Sequence, residues 1–311
     1  MADENIITIY NTNTISTDSN HNPFATKLRQ AQHLRGGAIF EVTNLNQAKL
    51  AQQAGASAIV VTDPQTHGGG VTRMPDPSVV KEIKRGVSIP VMAKARVGHF
   101  VEAQILEAVG VDYVDESEVM SLADDQHHIN KHKFGVPFVC GSNGLGEALR
   151  RVREGAALIR TEGYGAAGSG NIAATVKSVR SVMGDIRILT NMDNDEVFTY
   201  AKKIQAPYDL VAQTKQLGRI PVVHFAAGGI VTPADAALMM QLGCDGVFIG
   251  SEIFESPNPY KRVQAMVQAV MNYTDPRALV DLCYGLDEAM AGLNLSEDLN
   301  LNEDQIESSG N

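Results

Sequence analysis

Lys94 closes the apolar run Ile89-Pro90-Val91-Met92-Ala93. A lysine at the end of a buried strand is carried to the rim of the sheet, where partial desolvation lowers its pKa. It is then a candidate amine for imine formation with a carbonyl substrate. The same lysine could instead be a structural cation paired with Asp115 or Glu116 at the end of the next apolar run, and the residues leave both readings open. Gly228-Gly229 and Gly250-Ser251 follow two later apolar runs. Glycine lets the backbone approach a phosphate closely and turn N–H groups toward it, although two plain glycine turns would look the same. Glu252, next in line, opposes an anion there. Glu41, Asp115, Glu116 and Glu118 also stand at strand ends. Carboxylates so placed can orient a sugar hydroxyl or move a proton, or simply neutralise Lys94, Arg96 and Arg160. The glycine-rich stretch 163–171 reads as a loop that closes over a ligand or as an ordinary surface loop. His99, His127 and His128 have no metal-ligand spacing, so no metal is expected, and nothing implies a cofactor.

The elements that must position these residues repeat. Short apolar runs occur at Ala38–Val42, Ala58–Val61, Pro90–Ala93, Val111–Val114, Pro137–Cys140, Ala156–Ile159, Pro221–Phe225 and Gly246–Ile249. They are mostly not alternating, as expected of parallel strands buried on both faces. Segments such as Asn46–Ala54 and Thr232–Leu242 have apolar positions three and four apart, and Thr232-Pro233 reads as an N-cap followed by a first-turn proline. Eight βα units predict an α/β protein of the (β/α)8 TIM-barrel class. The alternative, a doubly wound sheet, lacks its Gly-x-Gly-x-x-Gly turn after the first strand. About sixty residues separate the sixth and seventh strands, which predicts extra helices near Ile172–Val182 and Asn194–Lys203. Residues 259–292 read as a closing helical segment. The expected organisation is a flexible polar segment over 1–22, a barrel over 23–292 and an acidic, disordered tail over 293–311.

The 311 residues have a formal net charge of −10, with 44% hydrophobic and 20% charged residues, which excludes wholesale disorder. Eight acids and no Lys or Arg lie before Lys27 and after residue 292, so the body between is nearly neutral. The balance argues against a nucleic-acid partner and against a polybasic membrane anchor. Three widely spaced cysteines (Cys140, Cys244, Cys283) suit a reducing compartment. Residues 1–22 have no apolar run of the signal-peptide kind, and no run is long enough to span a bilayer. A cytoplasmic protein is expected.

Pro90-Val91-Met92-Ala93-Lys94-Ala95-Arg96-Val97-Gly98-His99-Phe100-Val101-Glu102-Ala103-Gln104 closely resembles the barrel subunit of pyridoxal 5′-phosphate synthase, the PdxS/SNZ family. So do Val114-Asp115-Glu116-Ser117-Glu118, Ala206-Pro207-Tyr208-Asp209-Leu210, Phe225-Ala226-Ala227-Gly228-Gly229 and the run ending Asp245-Gly246-Val247-Phe248. The resemblance covers roughly residues 23–292. It implies a subunit that condenses a pentose phosphate, a triose phosphate and ammonia from a separate glutaminase subunit. Two lysines form successive imines, and the subunits assemble as two stacked hexameric rings. On this resemblance Lys94 matches the first imine-forming lysine, and Gly168, Arg180, Gly229, Gly250 and Ser251 match the pentose-phosphate contacts.

The departures fall on the active parts. The family's second lysine stands in Arg-Thr-Lys-Gly, and this chain has Arg160-Thr161-Glu162-Gly163. A carboxylate forms no imine, so the relay is unavailable. Glu41 replaces an aspartate and is one methylene longer, a displacement of the ~1 Å kind that is costly in a site. The lid after the second strand is the short Thr62-Asp63-Pro64-Gln65-Thr66-His67, the loop after Glu162 is long, and Glu252 replaces a glycine. Together these features resemble the non-catalytic paralogue that plants carry beside active members. The leading expectation is a pseudoenzyme that joins catalytic paralogues in hexameric or dodecameric rings and regulates or stabilises them. The runner-up is an active or half-active synthase working through an imine on Lys94. A third is a phosphosugar-binding protein or an enzyme with new chemistry.

Overall fold

All eight apolar runs become parallel strands of one closed barrel in the order β1 to β8, in a computed structural model that describes residues 23–63, 73–118, 127–163 and 172–286. The strands are β1 (Gly37–Val42), β2 (Ala58–Val61), β3 (Val91–Arg96), β4 (Tyr113–Glu118), β5 (Phe138–Ser142), β6 (Ala156–Glu162), β7 (Val223–Ala227) and β8 (Gly246–Ile249). Helix α1 (Pro23–Gln32) precedes β1. Then α2 (Leu45–Gln53), α3 (Pro77–Gly86), α4 (Phe100–Val109), α5 (Leu145–Arg153), α6 (Ile172–Asn191), α7 (Asn194–Lys203), α8 (Tyr208–Leu217) and α9 (Pro233–Leu242) connect the strands. Helices α10 (Pro259–Met271) and α11 (Pro276–Cys283) follow the barrel. This is the expected (β/α)8 TIM barrel.

Strand parity sorts the side chains. Ile39, Val60, Met92, Val139, Leu158, Phe225 and Phe248 pack together, with the Phe225 and Phe248 rings edge to face at 5.6 Å. Their strand neighbours Phe40, Val61, Val91, Ala93, Val114 and Val247 pack in the layer shared with the helices. Side chains alternate along a strand, so Glu41, Lys94, Asp115 and Arg160 share the parity of the first set and face into the barrel. They lie toward the carboxyl ends of their strands, the end at which barrel enzymes keep their chemistry.

Local chemistry explains the element ends. The Thr232 hydroxyl accepts from Asp235 N while the Asp235 carboxylate accepts from Thr232 N, and Pro233 opens the first turn. This reciprocal cap makes Thr232 the N-cap that its sequence implies. Among the described residues, three helices occupy the gap between β6 and β7. Of these α7 has the expected bounds, and α6 runs nine residues beyond Val182. Among the described residues of the connection from β4 to β5 there is one 3-10 turn, Lys131–Lys133, which Gly135 and Pro137 keep from extending. Helices α10 and α11 confirm the closing segment to residue 283, and the two expected tails lie outside the described residues.

Candidate functional site

Five charged side chains at the carboxyl end of the barrel form one connected network. Lys94 on β3 and Asp115 on β4 are register neighbours, so the short pairing between them was the simple expectation. The Lys94 ammonium instead reaches Glu41 Oε1 on β1, at 2.9 Å. Arg160 on β6 joins the rest: Nη1 to Asp115 Oδ2 at 2.7 Å, Nη2 to Glu41 Oε1 at 3.5 Å, and Nε to Glu162 Oε1. Its guanidinium also stacks over the Phe248 ring, 4.8 Å from the centroid, a second source of stabilisation for a buried cation. Lys94 and Arg160 are only 8% and 6% exposed, so each needs these carboxylates to offset lost hydration. Burial raises the Asp115 pKa to about 6, with Arg160 and Lys94 opposing the shift. Its Oδ1 has no hydrogen-bond partner among the described residues.

The two glycine turns stand beside this network. Gly228 and Gly229 have φ of +94° and +68°, values that leave glycine as the unstrained choice. The buried Thr175 hydroxyl on α6 lies 2.9 Å from the carbonyl oxygens of both Ala227 and Gly228 and accepts from Gly163 N at 3.2 Å. One side chain thus ties the end of β6 to the turn after β7. Gly250 caps the 3-10 turn Ser251–Glu255, and Ser251 is half-buried there. Arg180 lies on α6 as an exposed residue beside the core Val179. Gly168 and most of the 163–171 loop lie outside the described residues, as do residues 64–67 of the lid segment. Near that segment a pocket of about 510 Å³ opens between Thr43, Thr62, Asp63, Arg73, Asp76 and Glu102. Glu102 is itself engaged, accepting from Arg96 N and Arg96 Nε at 2.9 Å each.

A second buried charge cluster, behind β4 and β5, escaped sequence reasoning. Glu116 follows Asp115 and by strand parity faces the opposite side. Its Oε2 meets Lys131 Nζ at 2.7 Å, and its Oε1 accepts from Gly98 N and Ile129 N at 2.9 and 2.8 Å. Lys131, with no exposed surface, also reaches Glu154 Oε2 and Ile129 O at 3.0 Å. Two adjacent acids in one strand were the available signal, since at least one must face away from the barrel interior. The three cysteines are free, and burial pushes the Cys140 thiol beside Glu116 well above its ordinary pKa. His99 caps α4 through its ring rather than holding an ion, and no cluster of potential metal ligands occurs among the described residues.

The family model described as "SOR/SNZ family" matches residues 23–227. The chain belongs to this family. A thiazole biosynthesis protein ThiG model also matches residues 199–275. "Pyridoxal 5′-phosphate synthase-like subunit PDX1.2" of Arabidopsis thaliana is 62% identical over 296 residues, 95% of this chain and 94% of the relative. "Pyridoxal 5′-phosphate synthase subunit PDX1" of Phaseolus vulgaris is also 62% identical over 296 residues, 94% of each chain. "Pyridoxal 5′-phosphate synthase subunit PDX1.3" of Arabidopsis thaliana is 60% identical over 302 residues, 96% of this chain and 97% of the relative. Overall identity within the SOR/SNZ family therefore does not separate a synthase-like subunit from a synthase subunit. The side chains at the barrel mouth must.

Proposed function

We propose that this SOR/SNZ chain acts in vitamin B6 biosynthesis as a non-catalytic or catalytically impaired pyridoxal 5′-phosphate synthase barrel subunit. It co-assembles in the cytoplasm with active paralogues in hexameric or dodecameric rings and regulates or stabilises them. The glutaminase subunit is a further candidate partner, and a phosphorylated pentose is the ligand the ancestral mouth would take. The observation that carries the reading is Glu162 at the end of β6, its carboxylate engaged with Arg160. A relay amine would be needed at this position, and a carboxylate cannot become an imine nitrogen. The barrel around it is complete, which is what a ring-forming role requires of a subunit that no longer turns over.

One observation favours a half-active subunit as the second reading. Lys94 is retained, buried, and 2.9 Å from Glu41, a carboxylate within reach of the proton that the ammonium must lose before attacking a sugar carbonyl. Lys94 would supply the amine, Glu41 would hold its proton, and Arg160 would hold Asp115 in place. A single pair of measurements separates the readings. The purified chain is incubated with ribose 5-phosphate and borohydride and its intact mass measured. A parallel sample without borohydride receives an ammonium salt and glyceraldehyde 3-phosphate, and pyridoxal phosphate absorbance is followed. The expected result is no product. Product from the chain alone overturns the proposal, and a borohydride-trapped adduct abolished by Lys94→Met supports the half-active form. Co-expression with an active paralogue should give mixed rings, and exclusive self-assembly would count against the scaffolding role.

A further inference from the structure

The turns after β7 and β8 keep a backbone able to cradle an anion. Gly228 and Gly229 hold positive φ angles, and Thr175 fixes the first turn through the Gly228 carbonyl. At the second turn Gly250 has the inward parity of Phe248, so open space against its α-carbon would belong to the barrel mouth. That space is filled. A β-carbon built on Gly250 would collide with Glu252 Oε2 and would lie 3.1 Å from its Cδ and 3.4 Å from its Oε1. The carboxylate therefore points Oε2 at the bare face of the glycine. Glu252 is an exposed residue in a short 3-10 turn, and its carboxylate lies against Gly250.

We propose that Glu252 is a specificity-determining residue that occupies the phosphate place at Gly250 with its own carboxylate and so excludes phosphorylated ligands. A carboxylate is a flat anion that presents two oxygens, as a phosphate presents three, and it accepts the same N–H groups. A phosphate entering the cradle must both displace this group and sit in contact with its negative charge. Glu41, Asp115 and Glu162 already outnumber Lys94 and Arg160 in the mouth, so the displaced carboxylate finds little compensation there. The exclusion acts on binding, one step before any covalent chemistry at Lys94. It rests on the reading of the mouth as a former phosphosugar site, but its readout is equilibrium binding rather than product, so the two can fail separately.

The test titrates the full chain, as it assembles, with inorganic phosphate, ribose 5-phosphate and unphosphorylated ribose by calorimetry. Glu252→Gly should tighten both phosphate and ribose 5-phosphate by about tenfold or more, a gain of about 1.4 kcal/mol per tenfold, with no change for ribose. Glu252→Gln keeps the volume and removes the charge, so it should give an intermediate gain. Circular dichroism and the assembly mass establish that each variant is folded. Phosphate affinity in Glu252→Gly no higher than in the original chain overturns the proposal. Should the glycine variant fail to fold, an unchanged affinity in Glu252→Gln overturns it equally. An equal gain for ribose would also overturn it, since the blocked place would then not be a phosphate place.

Discussion

The barrel mouth and the charge cluster behind β4 and β5 each bury a lysine among carboxylates, and the two lysines and their nearest carboxylates differ in how completely they are satisfied. In the rear cluster Lys131 has three acceptors for three protons: Glu116, Glu154 and the Ile129 carbonyl. Glu116 uses both oxygens and through them holds the backbone at Gly98 and Ile129. In the mouth Asp115 Oδ1 has no hydrogen-bond partner among the described residues, and the Glu162 side chain remains 34% exposed. Lys131 and Glu116 are structural, because every polar atom of the pair is already committed, although Glu154 beside them is 29% exposed. The mouth keeps an unfilled acceptor and a solvent-facing carboxylate, as expected where a ligand once completed the pairing.

The strongest way to break this comparison is to remove each lysine. Lys131→Met strips the fully buried Glu116 of its cation, while Glu154 keeps Arg151 at 2.9 Å, and the cost of an uncompensated buried charge is about 3–5 kcal/mol. Lys94→Met should cost clearly less, because Glu41 keeps Arg160 at 3.5 Å and is 16% exposed. Urea unfolding of both variants decides it. Equal costs would mean that the mouth is as structural as the rear cluster. The double variant Glu116→Gln with Lys131→Met should recover part of the rear loss, since no charge is then stranded.

Acid titration sharpens the same contrast. Burial holds the Asp115 pKa up at about 6, while burial first, with Asp245 opposing and Arg219 assisting, holds His224 down at about 4. For Asp115 the folded state binds more protons between pH 4 and 6, so its contribution is present at low pH and is lost as pH rises through about 6. For His224 the unfolded chain binds more protons, so its contribution is present above the unfolded value near 6.5 and is lost as pH falls toward about 4. Each is worth on the order of 3 kcal/mol across its window. His224→Gln should therefore flatten the loss of stability between pH 6.5 and 4, and Asp115→Asn should steepen it. Urea midpoints across that range measure both slopes. An Asp115→Asn profile parallel to the original would show that the mouth carboxylate is not held protonated by burial.

The fold was legible because its signal is periodic. Eight apolar runs of four or five residues, with turns between, admit few architectures, and a cap such as Thr232-Pro233 is a local event. Residue parity also carried Glu41, Lys94, Asp115 and Arg160 to one interior. What the sequence could not disclose was which charges meet across the barrel. Lys94 and Asp115 are register neighbours, yet Lys94 selects Glu41 and Asp115 selects Arg160, a choice made by side-chain length and the position of the Phe248 ring. Lys131 was missed for a related reason, since it reads as one base in the polar stretch Asn130-Lys131-His132-Lys133 until β4 turns Glu116 toward it. Glu252 was legible as a charge beside the glycine turn, but not as a group folded onto Gly250.

The smallest expected effect bears most directly on how such a subunit arose. Glu162 gives Arg160 one of three carboxylates, and Asp115, Glu41 and the Phe248 ring remain when it is neutralised. A partly exposed pair of this kind contributes about 0–1 kcal/mol. Glu162→Gln should therefore shift the urea midpoint within that range. If so, the position that decides between relay chemistry and none is nearly independent of stability, and a barrel can exchange its amine for an acid while keeping the surfaces that build a ring. A loss above about 2 kcal/mol in Glu162→Gln would reverse that inference, because it exceeds what an exposed pair supplies. Glu162 would then be a clamp on Arg160, and the mouth would have become a second saturated cluster like the one around Lys131.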